Sequence, residues 1–439
     1  MTKRICLLGT LWTMTAALAQ TPADEPAAVE AQTTDVLEAS EADAGQVPFD
    51  VINNDRLTGD WWGARTWLEE RGIEFGLSMT SYYQHNVHGG VQTHNGHRIT
   101  GSVDYELTLD FETMGLWNGG ILYVGAESSW ADGISDRVGD WFGVNGDAAG
   151  DEAIVVPELW YEQMFFDGKA RVRVGKMDVT ADFDTNAYAN DETAQFLNAA
   201  LINVGNAPFP DVGLGAQLVV QPWDWFYFGI VAADAQADGR ETGLNTTFHD
   251  EDHFFGMMEF GFLPVWDTPW GELPGGYRFL IWYDPQPKAK FFNDLGGRRR
   301  TVPMKRDDVG FVFNMDQMLF KERPDDAADS QGLGLFFRYG YAHQDVNEVE
   351  HFWSIGAQYQ GLIPTRDDDV LGFGFAQGIL SDPLHDLDGG HRESVYELYY
   401  NAYVLPWLSV TPDLQYIVNP GMGDGNDAFV MGCRVQMSF

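Results

Sequence analysis

The chain is 439 residues long and carries 66 acidic against 26 basic side chains, a formal net charge of −40, with 44% hydrophobic residues, 14% aromatic residues and 49 glycines. Phosphate would repel such a chain, which excludes a duplex nucleic-acid binder. Its body holds no apolar run of the roughly 18 residues that a transmembrane helix needs, and the aromatic content excludes wholesale disorder.

Residues 1–19 read as a secretory signal. Lys3 and Arg4 supply the charged start, Ile5 to Leu18 is a short apolar stretch, and Ala17-Leu18-Ala19 offers a cleavage site before Gln20. Cleavage would also remove Cys6, leaving Cys433 alone and no internal disulfide. Residues 20–52 are rich in Ala, Glu and Asp and read as an acidic flexible tether, with a marginal helix as the alternative. Residues 53–74 read as a short helical plug or brace. Asp60 is placed to cap the helix, Trp62, Trp67 and Leu68 to anchor it, and Gly72 to end it.

From residue 75 to 439 the chain is strands. Val103, Tyr105, Leu107, Leu109 and Phe111 alternate with Asp104, Glu106, Thr108, Asp110 and Glu112. Tyr396, Leu398, Tyr400, Ala402 and Val404 alternate with Glu397, Tyr399, Asn401 and Tyr403. Leu408, Val410, Leu414 and Tyr416 alternate with Ser409, Thr411, Asp413 and Gln415. The last eleven residues repeat the pattern from Phe429 to Phe439, with Val430, Gly432, Arg434, Gln436 and Ser438 on the second face. Strict period two is a strand with one greasy and one mostly polar face.

About sixteen such strands can be placed, beginning near Phe75, Ser102, Gly120, Pro157, Ala170, Gly213, Trp225, Phe254, Tyr277, Asp307, Gly332, His351, Val370, Ser394, Leu408 and Ala428. In a soluble sandwich the apolar faces would meet in a core; in a transmembrane antiparallel β-barrel they face lipid and the polar faces line a lumen. The connections decide between them. Those after odd strands are mostly long, as at 130–156, 180–212, 235–253 and 285–306, whereas Asp167-Gly168-Lys169, Pro222-Trp223-Asp224 and Pro406-Trp407 are tight. An even strand count with alternating long and short connections predicts an all-β outer-membrane barrel. The connections 265–276 and 321–331 are longer than minimal turns. The brace then belongs at the periplasmic mouth.

The stretch 179–212 is too long for a simple connection, and Pro208 and Pro210 rule out an ordinary strand near its end. It is expected to fold inward as a constriction loop, with a surface lid as the alternative.

Several stretches closely resemble the carbohydrate-selective porins of the OprB type. LTGDWWGARTWLEERGI, from Leu57 to Ile73, is similar to the family's usual L-x-G-D-W-G-G-x-R-x-x-L-x-x-x-G-I. In order follow RVRVGKMD (Arg171 to Asp178), DFD (Asp182 to Asp184), FLN (Phe196 to Asn198) and GLGLFFRYGYA (Gly332 to Ala342). FWSIGAQYQGLIPTRDDDVLGFG (Phe352 to Gly374), ESVYELYYNAYVLPWLSVTPDLQYIVNPG (Glu393 to Gly421) and the final strand complete the set. The resemblance covers residues 57 to 439 and departs mainly in the acidic tether and at 285–306. It implies a sixteen-stranded barrel whose inward loops form an eyelet passing monosaccharides by diffusion.

A sugar-selective pore needs paired donors and acceptors beside a flat apolar surface. Alternation puts Arg171 and Arg173 on the lumen face, a bulge at Gly175 would bring Lys176 inward, and Asp178 is a further candidate at the end of the same stretch. Arg338 alternates away from Leu335, Phe337 and Tyr339. Asp104, Glu106, Glu397 and Asp413 supply lumen carboxylates; Asn401, Gln415 and Arg434 add polar groups and Tyr399 a ring for stacking. These thirteen residues are the candidates for sugar contact. The plainer reading is that they pair with one another and keep the lumen wet.

The remaining signals are weaker. His85, His88, His94 and His97 surround the first long connection, and His249 and His253 flank acids, yet loop histidines are usually solvated and no metal or cofactor is expected. Lys288, Lys290, Arg298, Arg299, Arg300, Lys305 and Arg306 either meet lipopolysaccharide phosphates or offset nearby acids. Neither G-x-S-x-G, Walker A nor H-E-x-x-H is present, which leaves an enzyme only as a hydrolase assembled from dispersed residues. The expected partners are monosaccharides as permeant solutes, with membrane lipid and lipopolysaccharide outside, and no nucleic acid; monomer and trimer are both compatible. The alternatives are a general or cation-preferring diffusion porin, or an exported soluble sugar-binding β protein.

Overall fold

A strand that crosses a bilayer finds no water for its backbone, so every N–H and C=O must be paired with a neighbouring strand and the sheet must close. The computed structural model describes residues 51–240, 242–244, 246–247, 252–291, 303–326, 329–388, 390–423 and 425–439. The expected signal at 1–19 and all but the end of the 20–52 tether lie outside the described residues.

Sixteen antiparallel strands form the closed wall. They are β1 (Ile73–His88), β2 (His97–Asp110), β3 (Gly120–Trp130), β4 (Glu152–Phe165), β5 (Ala170–Met177), β6 (Gly213–Trp223), β7 (Phe226–Asp234) and β8 (Phe254–Phe262). The second half is β9 (Gly271–Asp284), β10 (Asp308–Lys321), β11 (Gly332–Tyr341), β12 (Val349–Gln360), β13 (Val370–Leu380), β14 (Arg392–Leu405), β15 (Leu408–Val418) and β16 (Ala428–Ser438). Each pairs with the next, and β1 also pairs with β16, from Ser78 opposite Ser438 to Asn86 opposite Val430. The expected strands are therefore all present.

Local chemistry explains the irregular places. The connection after β8 is long because the hairpin continues beyond the wall, with Val265–Thr268 paired to Gly271–Pro274. In β4, Pro157 lies where three residues of one strand span two of the other: Gly125 faces Glu158 and Glu127 faces Val155. Proline has no N–H for the ladder and is tolerated at such a bulge. Val156, inside it, gives its carbonyl to Lys176 Nζ at 3.2 Å. Opposite, Gly175 adopts φ 137°, and a Cβ there would come within 2.3 Å of the Leu159 carbonyl.

The long connections all leave one end of the barrel and the tight turns the other. Trp223 and Trp225 stack at 5.4 Å on one tight turn, and Trp117, Phe166, Trp266 and Trp270 are exposed nearby on others. That aromatic girdle is what a barrel places at a membrane–water boundary. Between the ends the outer face is apolar, with Leu159, Ile230, Phe279, Ile355, Phe373, Leu398 and Met431 all exposed.

The inner face departs from the expected polar lining. Trp282, Val312, Phe336, Phe352 and Ala376 point inward and are buried against Phe196, Leu201, Val204 and Phe209 of the 178–212 connection. The interior of the barrel thus contains a hydrophobic core of its own.

The N-terminal brace also differs from expectation. Trp61, Trp62 and Gly63 have φ of 50°, 59° and 88°, a left-handed turn, and the helix α1 (Ala64–Glu69) begins only after it. The helix N-cap is Gly63, not Asp60; the Asp60 carboxylate instead reaches over the turn to accept from Thr66 N at 2.8 Å and Thr66 Oγ1 at 2.9 Å. Trp61, not Trp62, is the apolar anchor, and Gly72 ends the turn at φ 77°. Arg65 lies under the Trp61 ring at 4.2 Å and donates to the Phe439 carbonyl at 2.9 Å, while Leu57 N reaches Ser438 O at 2.8 Å. The brace is fastened to the end of β16.

Candidate functional site

Two long connections fold into the lumen. The 178–212 loop opens with Asp178, which accepts from Thr180 N at 2.7 Å and so turns the chain inward at the end of β5. Asp182 then meets two guanidiniums. Arg171 Nη2 lies 2.5 Å from Asp182 Oδ1 and Arg173 Nη1 2.7 Å from Oδ2, with Gln217 Nε2 donating at 2.6 Å. Burial would raise the Asp182 carboxyl, but the two arginines outweigh it and hold the group well below the usual carboxylate range.

Farther along, the loop crosses to β8–β16. Asp184 donates its N–H to Glu259 of β8 at 3.0 Å, and Arg338 of β11 reaches Asp184 Oδ1 at 3.3 Å. The same guanidinium, fully buried, donates to the carbonyls of Leu201 at 3.2 Å, Asp184 at 3.2 Å and Ala189 at 2.6 Å. Glu397 of β14 accepts from Leu197 N at 2.6 Å and Asn198 N at 2.9 Å. Arg434 of β16 donates to Glu192 O at 2.7 Å and Gln195 O at 2.9 Å. Between these polar anchors Phe196 packs edge-on against Tyr399 at 4.9 Å and Phe336 at 5.4 Å.

The 131–151 loop sits beside it, closer to β1 and β2. Ala199 N bonds Gly143 O at 3.0 Å and Gly146 N bonds Leu197 O at 2.8 Å, so the two loops support each other. Gln415 of β15 bridges them, donating to Val144 O at 2.9 Å and accepting from Asn198 Nδ2 at 3.0 Å. Glu393 accepts from Trp141 N at 2.8 Å and fixes the loop tip.

Of the thirteen candidates, Asp178 opens the inward loop itself, accepting from Thr180 N, and the other twelve line the wall in three sets. Arg338, Glu397, Tyr399, Gln415 and Arg434 are buried under the inward loops and engage their backbone or side chains. Asn401 accepts from Thr411 Oγ1 at 2.8 Å and Asp413 from Gln415 Nε2 at 3.0 Å, both within the wall. Asp104, Glu106, Arg171, Arg173 and Lys176 gather on β2–β5. There Tyr123 and Trp160 stack at 4.9 Å and 20°, and Arg173 covers the Trp160 ring at 4.0 Å. Glu162 ties Arg173 at 2.9 Å, Glu106 accepts from Tyr123 Oη at 3.3 Å, and Asp104 accepts from Ser78 Oγ at 3.3 Å. The result is a ladder of carboxylate, ring, ring, guanidinium and carboxylate across neighbouring strands.

Residues outside the thirteen prove as important. Glu158, Trp160 and Glu162 alternate with Leu159 and Tyr161 on β4, a period-two signal that could have found them. Glu259 and Asn314 are loop anchors without a motif to mark them, while Asp184 and Glu393 lie in stretches that carry the family resemblance but give no sign of the anchoring role. Among the described residues no group of three or more His, Cys, Asp or Glu side chains is placed to hold a metal ion, and His249 lies outside them. Lys288 pairs with Asp284 and Asp308, both at 2.9 Å, and Lys290 pairs with Asp345 at 2.7 Å. Those two offset local acids, while Arg298, Arg299 and Arg300 lie outside the described residues.

A closed sixteen-stranded barrel with an apolar belt, an aromatic girdle and loops folded into its lumen defines an outer-membrane porin, a channel rather than a catalytic scaffold. The chain belongs to the carbohydrate-selective porins of the OprB family, whose model matches residues 94–439. It is 26% identical to porin B of Pseudomonas aeruginosa, covering 88% of this chain and 92% of that protein. A putative porin of Acinetobacter baylyi, QuiX, is 23% identical over 89% of this chain and 95% of its own. The high-pH structure of Pseudomonas putida OprB superposes with a TM-score of 0.76 at 23% identity, over 88% of this chain and 99% of that one, and shows the fold. The protein is an outer-membrane sugar porin.

Proposed function

We propose that monosaccharides diffuse through an off-centre eyelet bounded by the β2–β5 wall on one side and the 178–212 loop on the other. One observation carries this reading: among the described residues neither inward loop hydrogen-bonds Asp104 or Glu106, whose carboxylates take only the hydroxyls of Ser78 and Tyr123. The β8–β16 wall is different: Glu259, Arg338, Glu397 and Arg434 are engaged by loop backbone, and Arg278 pairs with Asp316. A sugar sliding past this wall meets the half-buried Glu106 carboxylate, which accepts from its hydroxyls with Asp104 buried behind it, and the Arg171 guanidinium, which donates to them from its place between Asp182 and Glu162. Each contact is weak enough for release. Arg338, Glu397, Tyr399, Gln415 and Arg434 act on this reading as struts that set the pore width, not as sugar contacts.

Liposome swelling tests it. Glu106→Gln and Arg171→Gln should each change the glucose rate relative to a sugar alcohol of similar size, while the barrel keeps its heat-modifiable mobility. Unchanged relative rates in both variants would reject the eyelet. Rates for glucose, disaccharides and amino acids that depend on size alone would favour a general diffusion porin instead.

A further inference from the structure

The brace contains a residue that the reading above does not use. Trp62 is 97% exposed and holds φ 59°, ψ 37°. A bulky residue at positive φ is a rare and strained choice, and the family pattern has glycine at the corresponding place. Exposing a whole indole to water at a strained position is doubly unfavourable, unless the indole is not in water.

Its surroundings identify the alternative. Trp61, the preceding residue, packs on Phe75 with ring centroids 6.5 Å apart. Phe75 belongs to the outward face of β1, together with Leu77, and pairs with Leu107 on the outward face of β2. The left-handed turn therefore sets Trp61 against the rim of the lipid-facing surface, at the end of the tight turns, and leaves Trp62 beside it and exposed. Arg65 and Asp60 fix the turn from behind, through the Phe439 carbonyl and Thr66. The apolar surface that begins on β1 continues without a break onto Trp61, and Trp62 is the next residue.

We infer that Trp62 is an interfacial anchor that inserts its indole among the phospholipid headgroups of the periplasmic leaflet. An indole suits that zone because its body is apolar and its N–H seeks a polar partner. The left-handed turn is the device that holds it clear of the protein, since a right-handed turn would continue the helix along the rim.

The test uses the mature full-length protein in phospholipid vesicles and compares it with Trp62→Phe. Subtracting the two emission spectra isolates the Trp62 component. That component should lose at least half its intensity when the vesicles contain phospholipid brominated near the head of the acyl chain, and respond weakly to aqueous acrylamide. Strong acrylamide quenching without an effect of bromolipid would overturn the proposal by placing the indole in water. Quenching by neither agent would overturn it too, by placing the indole against protein such as a second copy. Heat-modifiable mobility of Trp62→Phe confirms that both samples are folded barrels.

Discussion

Arg338→Met removes the central strut of the inward loop while keeping nearly the same side-chain volume. The change leaves three loop carbonyls, at Leu201, Asp184 and Ala189, without their donor, and strips Asp184 of its guanidinium. Asp184 retains Val204 N at 2.7 Å and Asn314 Nδ2 at 2.8 Å, so the loop is loosened, not cut free. Breaking a buried, hydrogen-bonded charge pair costs roughly 3–5 kcal/mol. About 4 kcal/mol raises the ratio of released to docked loop about a thousand-fold, at 1.4 kcal/mol per factor of ten. The wall strands lose no ladder bond, so the barrel should still assemble and shift on heating. Planar-bilayer recordings should show larger and noisier single-channel conductance, and swelling assays should show disaccharides entering faster relative to glucose. Arg338→Lys should fall between the two, because an ammonium offers three donors without the planar fork. Conductance, noise and disaccharide rate all unchanged in Arg338→Met would refute the idea that this residue holds the constriction.

Two further outcomes follow from the same geometry. Because Asp182 titrates below the usual carboxylate range, the stability it lends to the docked loop is complete above about pH 3.9, the unfolded value. That stability is lost only as pH falls through the lower folded value. The difference in thermal midpoint between wild type and Asp182→Asn should therefore be flat from pH 7 to about 4 and shrink below that; shrinkage beginning near pH 6 would contradict the Arg171–Asp182–Arg173 assignment. Arg65→Ala removes a charged donor to the Phe439 carbonyl and the cation stacked on Trp61, a loss of about 2 kcal/mol. It should lower the heat-modification temperature without altering conductance, and an unchanged temperature would show that the brace does not stabilise the β1–β16 closure.

What could be read from the chain follows from which interactions leave a mark on side-chain identity. Every barrel strand was legible, because a lipid-facing side chain and a lumen-facing one differ in polarity and the backbone alternates them. The start of β4 was misplaced: Pro157 was expected to open the strand, which begins at Glu152 and takes the proline into a bulge. The inward loop was legible as a loop from its length and its prolines. Its docking was not, because Arg338, Glu397 and Arg434 engage backbone carbonyls and amides, groups that every residue carries. The apolar lumen was hidden for a related reason: alternation in Gly332–Tyr341 puts Phe336 on the inner face with Arg338, but nothing in the strand marks Phe196, far along the chain, as the ring that packs on it. In the brace, Asp60 does accept from Thr66, but the helix starts only at Ala64 behind the left-handed turn, and the apolar contact is made by Trp61 on Phe75 while Trp62 is exposed.

The hydrophobic core inside the barrel separates two jobs that one ring of residues would otherwise share. The strands β8–β16 hold a folded insert by burial and backbone bonding, much as a soluble domain holds its own core, while the polar ladder stays on β2–β5. Substitutions at Asp104 or Glu106, which bond only Ser78 and Tyr123, can then retune which solutes pass without loosening the insert, whereas Arg171 serves both jobs because it also holds Asp182 of the loop. Substitutions at Phe336 or Glu397 can change how wide the passage is without changing the chemistry of its wall. A lineage could drift from one sugar to another, or to a differently charged nutrient, by editing a few positions on four neighbouring strands.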